Sequence, residues 1–168
     1  MIFRTDEDIG HHSLNCLVQL ASLNGQIMNA KDLRLQYLAN YISSFCRLVS
    51  SITQTGRISP KESLGLSNMI RKLILFYPPS ILVQVQSELL QSYLEQVVSL
   101  TCAFLRAANQ ASQIADHEEQ HGLYTEAFEH MLEAWVCVLH DANIFPKNYC
   151  QEAAIAIFKS YIEVGRVC

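Results

Sequence analysis

Six glycines and four prolines are all that punctuate the 168 residues. That is too few turn-formers for a β-sandwich or barrel, which shows a turn signal every 8–12 residues or so. Clusters of Lys and Arg are also lacking, and twelve basic against sixteen acidic residues leave a net charge of −4. Nucleic-acid binding rests largely on phosphate neutralisation, so no nucleic-acid partner is expected. No apolar run reaches the roughly 18 residues needed to span a bilayer, because Ser, Gln, Glu or Arg interrupts each one, and no membrane insertion is expected. The opening MIFRTDEDIGHH is acidic and lacks the apolar centre of a secretory signal, which points to a soluble intracellular protein. G-x-S-x-G, P-loop and glycine-rich phosphate motifs are missing too. No catalytic residue, cofactor or metal site is therefore assigned, and the chain is expected to be non-enzymatic.

Cysteine is present but not in pairs that matter. Cys16, Cys46, Cys102, Cys137, Cys150 and Cys168 are spread through helical runs with no C-x-x-C spacing. Without a secretory signal they are expected to be reduced, buried thiols acting as small hydrophobes.

What remains is rich in one signal. Half of the residues are apolar, mostly Leu, Ile, Val and Ala at spacings of three and four, which predicts an all-α protein. A short helix is expected from Ser13 to Leu23, stopped by Asn24-Gly25. Lys31 to Thr53 follows, with Leu35, Leu38, Ile42, Phe45 and Val49 on one side. Ser59-Pro60-Lys61-Glu62 is a start signal, with Ser59 as N-cap and Glu62 positioned to answer it. The helix it opens should end at Phe76 or Tyr77, because Pro78-Pro79 breaks the chain. Val83 to Ala115 is expected as one very long helix, or two with a kink, carrying Leu89, Leu90, Leu94, Val97, Leu100, Phe104 and Leu105. Asp116 to Gly122 reads as a polar connector.

Tyr124 to Gly165 then reads as two amphipathic helices folded back on each other. In the first, Phe128, Leu132, Trp135 and Leu139 form the expected core stripe, widened by Met131, Val136 and Val138. In the second, Ala154, Ile157, Phe158, Tyr161 and Ile162 do the same, with Asp141, Asn143 and Phe145-Pro146 in the turn between. Such a hairpin cannot bury both apolar faces alone and implies stacked neighbours. The helix starts near 13, 31, 60, 83, 123 and 147 suit an α-solenoid of antiparallel, HEAT-like hairpins. Residues 1–168 would form one solenoid segment of about three helical pairs, with 123–165 the clearest repeat unit. Neither terminus reads as a polar cap, so exposed apolar ends and self-association are expected.

His117-Glu118-Glu119-Gln120-His121 satisfies H-E-x-x-H, the pattern in which two histidines one turn apart hold zinc and the glutamate is the base. Its surroundings are polar on all sides, Gly122 follows at once, and the third ligand would have to come from Glu133 or Glu152. A solvated linker is the expectation. His11-His12, His130 and His140 are read as surface residues, and Lys31, Arg34, Arg71 and Lys72 as solvated helix faces. Tyr37 and Tyr41 should lie at the core margin, and Trp135, an interface-prone residue type, is placed in the core by its register.

The segment Met131-Leu132-Glu133-Ala134-Trp135, the turn from Asp141 through Phe145-Pro146, and then Ala153-Ala154 and Phe158-Lys159-Ser160-Tyr161-Ile162 together resemble a helical pair of the nuclear export receptors of the importin-β superfamily. The resemblance covers about 40 residues of the C-terminal hairpin, as one unit of that superfamily's HEAT array does. It implies a segment of a longer HEAT superhelix that binds protein cargo together with GTP-bound Ran, touches nuclear pore proteins, and shuttles between nucleus and cytoplasm. A helical scaffold or adaptor unrelated to Ran is the alternative.

Overall fold

Seven α-helices and one 3-10 turn make up the computed structural model, which describes residues 7–54, 58–112, 118–140 and 147–165. No strand occurs among the described residues, so the all-α expectation holds. The helices are α1 (Glu7–Leu20), α2 (Lys31–Gln54), α3 (Pro60–Phe76), the single turn α4 (Pro79–Leu82), α5 (Ser87–Ser112), α6 (Glu118–His140) and α7 (Lys147–Gly165).

Local chemistry explains most of these bounds. At the start of α3 the Ser59 hydroxyl accepts from the Glu62 amide at 3.2 Å, while the Ser59 amide donates to Glu62 Oε2 at 2.8 Å. That reciprocal box, with Pro60 in the first turn, is the one the sequence announces. Between α1 and the 3-10 turn (Gln26–Asn29), Gly25 is the single positive-φ residue among those described, at 149°. Only glycine adopts that backbone without strain.

Expected bounds move at three helices. The first helix runs from Glu7 to Leu20 rather than from Ser13 to Leu23, and Ser22 and Leu23 sit in turns donating to Gln19 and Leu20 carbonyls. The long helix begins at Ser87, not Val83. Pro79, free of any need to donate, starts the separate turn α4, and i→i+3 bonds from Gln84 and Val85 to Ile81 and Leu82 carry the chain round into α5. Buried Leu82 and Val85 hold that bend to the core. At the other side, Glu118 to Gly122 is not a connector but the first turn of α6. The rest of that expected linker, with His117, lies outside the described residues, as do Asp141 to Pro146 and Cys168.

The helices pack in a simple order. α1 lies on α3 and α3 on α6; α2 lies on α5 and α5 on α7; α5 and α6 join the two rows. One continuous apolar core runs through all of them, from Val18 and Ala21 through Phe45, Leu73, Tyr93 and Phe104 to Trp135, Val138 and Ala153. The expected intimate α6–α7 hairpin is corrected here. Among the described residues these two helices make no extensive contact with each other, and each buries its inner side on α5.

The stripes within them are corrected as well. On α6 the buried set is Ala127, Met131, Ala134, Trp135 and Val138, whereas Leu132, Val136 and Leu139 are exposed and Phe128 is half-buried. On α7 Cys150 and Ala153 are buried, while Ala154, Ile155, Phe158 and Ile162 are exposed. Alanine lets helix axes approach closely, and Ala127, Ala134 and Ala153 lie in the buried contacts, on α6 beside Met131, Trp135 and Val138.

Candidate interaction surfaces

Joints between and within the rows are built from polar side chains that the helices aim inward. Trp135 is 4% exposed, and its indole N–H donates to Thr101 Oγ1 at 2.9 Å across the α5–α6 contact. Thr101, fully buried, spends its own proton on the Val97 carbonyl at 2.7 Å. Its lone pairs are thus free to receive the indole. Trp135 is core as expected, but on a different stripe from the exposed Leu132 and Leu139, and one threonine satisfies its polar edge.

On the α3–α6 side, His130 is half-buried rather than a surface residue. Its Nδ1 lies 3.3 Å from Ser67 Oγ, and Ser67 donates to the Leu64 carbonyl at 3.0 Å. Which of Ser67 Oγ and His130 Nδ1 donates is set by the imidazole tautomer. Nε2 faces Glu126 at 3.9 Å. Burial, with the Arg71 guanidinium second, pushes the His130 pKa down, against Glu126, Glu133 and Glu129, which pull it up. Arg71 itself pairs with Glu133 across the same contact, so it is not simply a solvated face. Lys72 Nζ reaches Gln19 Oε1 on α1 at 3.2 Å.

Three tyrosines close the end of α1. Tyr41 donates to the Leu17 carbonyl at 3.1 Å, Tyr37 to the Leu20 carbonyl, and Tyr77 to the Leu23 carbonyl at 2.9 Å. These oxygens belong to the last turn of a helix and the chain leaving it; Leu17 and Leu20 also accept from the Ala21 and Leu23 amides, so the phenols there are second donors. Burial raises all three phenol pKa values, which keeps them as donors at any ordinary pH. Nothing in a one-dimensional pattern flags this cap, because the donors come from two other helical segments.

The zinc pattern gains no support from geometry. Glu118 and His121 occupy the first turn of α6, with His121 Nε2 3.5 Å from Thr125 Oγ1. Glu133 is twelve residues further along the same helix, some 18 Å of axis away, and is engaged by Arg71. No group of three or more His, Cys, Asp or Glu that could hold a metal is found among the described residues. Of the cysteines, Cys46, Cys102 and Cys150 are buried free thiols, Cys137 is half-buried, and Cys16 is exposed, against expectation. Burial raises the Cys46 and Cys150 thiols, the inert end of the range for cysteine reactivity.

Two shallow grooves mark the surface. One of about 380 Å³ lies between α2 and α5, walled by Ser43, Arg47, Ser50, Ser92 and Gln96. The other, about 480 Å³, lies under the 3-10 turn against Leu23, Met28, Leu33 and Tyr37. Neither brings together an acid, a base and a nucleophile. Exposed large apolar side chains lie on α6 and α7 (Leu132, Val136, Leu139, Ile155, Phe158 and Ile162) and also at Leu20, Leu23, Leu33, Leu75 and Phe76. None of the described helices is long and apolar enough to cross a membrane. No known protein-family model matches the chain.

Proposed function

We propose that this chain is an α-solenoid segment of HEAT-like helical hairpins belonging to an exportin-4-like nuclear export receptor. Its task would be to bind protein cargo together with GTP-bound Ran and carry the cargo from nucleus to cytoplasm. The observation that supports the solenoid is the order of contacts: alternate helices α1, α3 and α6 follow one another in one row, and α2, α5 and α7 in the other. Rows in which each helix meets the equivalent helix of the next unit are one feature of stacked hairpins; close packing between consecutive long helices is present between α5 and α6. The transport assignment rests on the resemblance of residues 131–162 to receptors of that type.

In such a receptor the physical work is coupling. Ran and cargo favour the same curvature of a deformable stack, so each raises the affinity of the other by the same factor, commonly about 5–150-fold. Within this chain, the joints Trp135–Thr101 and His130–Ser67 would set how stiffly neighbouring helices move. Localisation in both nucleus and cytoplasm, and contact with nuclear pore proteins, follow from the same assignment.

The test is a pull-down from native extract on immobilised Ran loaded with GTP or GDP, probed by an antibody to this sequence. Retention by Ran-GTP alone is the expected result. Retention by neither form would favour a helical adaptor unrelated to Ran.

A further inference from the structure

No serine or threonine of the sequence except Ser59 is followed by proline. Proline fixes its own φ, lacks an N–H, and pushes the residue before it into extended backbone. Ser59 accordingly sits at φ −69° and ψ 160°, just ahead of α3, and is exposed. Ser63 and Ser67, further along the same helix, are fully buried. An exposed hydroxyl on extended chain, followed by a ring, is the shape read by protein kinases that require proline after the serine they modify. Their peptide site meets that position with an apolar pocket, so no buried acceptor is left waiting for the missing N–H.

We infer that Ser59 is a phosphorylation site for a proline-directed serine/threonine kinase, and that the phosphate takes over the cap of α3 from Glu62. In the transfer, Ser59 Oγ attacks the γ-phosphorus of ATP and the bond from that phosphorus to the β-phosphate oxygen breaks. ADP leaves with the electron pair, and the hydroxyl proton passes to the kinase's catalytic aspartate. Access asks little of the fold, because the first amides of a helix have no intrahelical acceptors. Ser59 is held to α3 by the two bonds of its capping box and by the Ser63 amide and hydroxyl, each 2.9 Å from the Ser59 carbonyl. The Tyr124 hydroxyl of α6 holds the preceding carbonyl, that of Ile58, at 3.0 Å.

The added group carries a charge of about −1.5 to −2 at neutral pH, and it arrives where Glu62 Oε2 already lies 2.8 Å from the Ser59 amide. Contacts from Ile58 to Tyr124, Ser67 to His130 and Arg71 to Glu133 show that α3 and α6 run in the same direction. Glu118 and Glu119, which open α6, therefore add negative charge at the same end. Phosphate oxygens on the N-cap reach the first-turn amides as the hydroxyl does and meet the positive end of the helix dipole. Exposed Lys61 supplies a cation beside them. The Glu62 carboxylate, on a flexible side chain, is the anion that gives way.

Modification of Ser59 is independent of Ran binding, and so is its test. The 168-residue chain is incubated with a purified proline-directed kinase, magnesium and ATP, and the product is mapped by mass spectrometry. One phosphate, on Ser59, is expected. Ser59→Ala should take up none, and Ser59→Thr, which keeps a capping hydroxyl, should carry the phosphate on the threonine. Pro60→Ala should slow transfer at least about tenfold, the scale on which a pocket built for one apolar group discriminates. Circular dichroism checks that each variant folds, and if Ser59→Ala does not, Ser59→Thr and Pro60→Ala carry the test. The exchange of caps is read separately. Glu62→Gln, whose amide oxygen still accepts from the Ser59 N–H, should lower the urea midpoint of the unmodified chain and raise that of the phosphorylated one. Phosphate only on other residues, equal rates for Pro60→Ala and the unaltered chain, or transfer only after the chain has been unfolded would overturn the site. A Glu62→Gln shift of the same sign in both forms would overturn the exchange.

Discussion

The outer face of α2 carries Gln36, Asn40, Ser44, Arg47 and Ser51, whereas those of α6 and α7 carry Leu132, Val136, Leu139, Ile155, Phe158 and Ile162. Both regions are long helices at an end of a row, and both bury an inner face against α5. The difference lies in the arc that is apolar. α2 is amphipathic in the ordinary sense, one side dry and one side wet. α6 is apolar toward α5 and again on its far side, which is the pattern of a helix that sits between two neighbours rather than beside one.

The sharpest way to break that comparison is to substitute two adjacent residues of α6. Trp135→Ala removes a buried indole and strands Thr101 without its donor. It should cost about 3–5 kcal/mol. Val136→Ala, one position on but two-thirds exposed, should change stability by less than about 0.5 kcal/mol. Urea titrations of the two variants at low protein concentration, where association plays no part, measure both values. Equal losses would mean that the far side of α6 is core after all.

A smaller effect sharpens the contrast at the other end of the rows. Ser59→Ala removes the cap of α3, worth about 1 kcal/mol. Tyr77→Phe leaves the Leu23 carbonyl without its phenol donor and should cost about 0.5–1.5 kcal/mol. Urea titrations of these two variants measure both values.

The same contrast explains which features could be read from the residues alone. The Ser59 box, the Pro78-Pro79 break and the α2 stripe of Leu38, Ile42, Phe45 and Val49 are local patterns, and the structure reproduces them. Register in α6 and α7 was not legible. Their apolar arcs are broad enough to contain two stripes, and the choice between them falls to Ala127, Ala134 and Ala153, whose small volume permits close approach but whose hydropathy is unremarkable. The first turn of α6 has the composition of a linker because Glu118, Glu119 and Gln120 are polar. Acidic residues are favoured in a first helical turn, where they meet the positive end of the helix dipole. His130 looked like a surface residue because its partners Ser67 and Arg71 lie more than fifty positions away on α3.

That histidine carries the smallest effect expected, and the one with a sign to settle. Its folded pKa lies below the ordinary 6.5, from burial first and Arg71 second. The unfolded chain therefore binds the proton more readily than the folded one. Above about pH 6.5 the ring is neutral in both states and the α3–α6 contact has its full strength. As pH falls through 6.5 the unfolded state gains protons first, and stability declines until the folded ring is protonated too, after which the loss levels off. In His130→Gln the amide can still hydrogen-bond Ser67 but does not titrate. Between pH 7.5 and 5.5 the denaturation midpoint of the unaltered chain should fall more than that of the variant. Since Glu126, Glu129 and Glu133 around the ring are kept in both proteins, the differential between the two reports the histidine. Parallel pH profiles would show that the carboxylates offset burial completely, and that the contact between α3 and α6 is insensitive to the charge on this side chain.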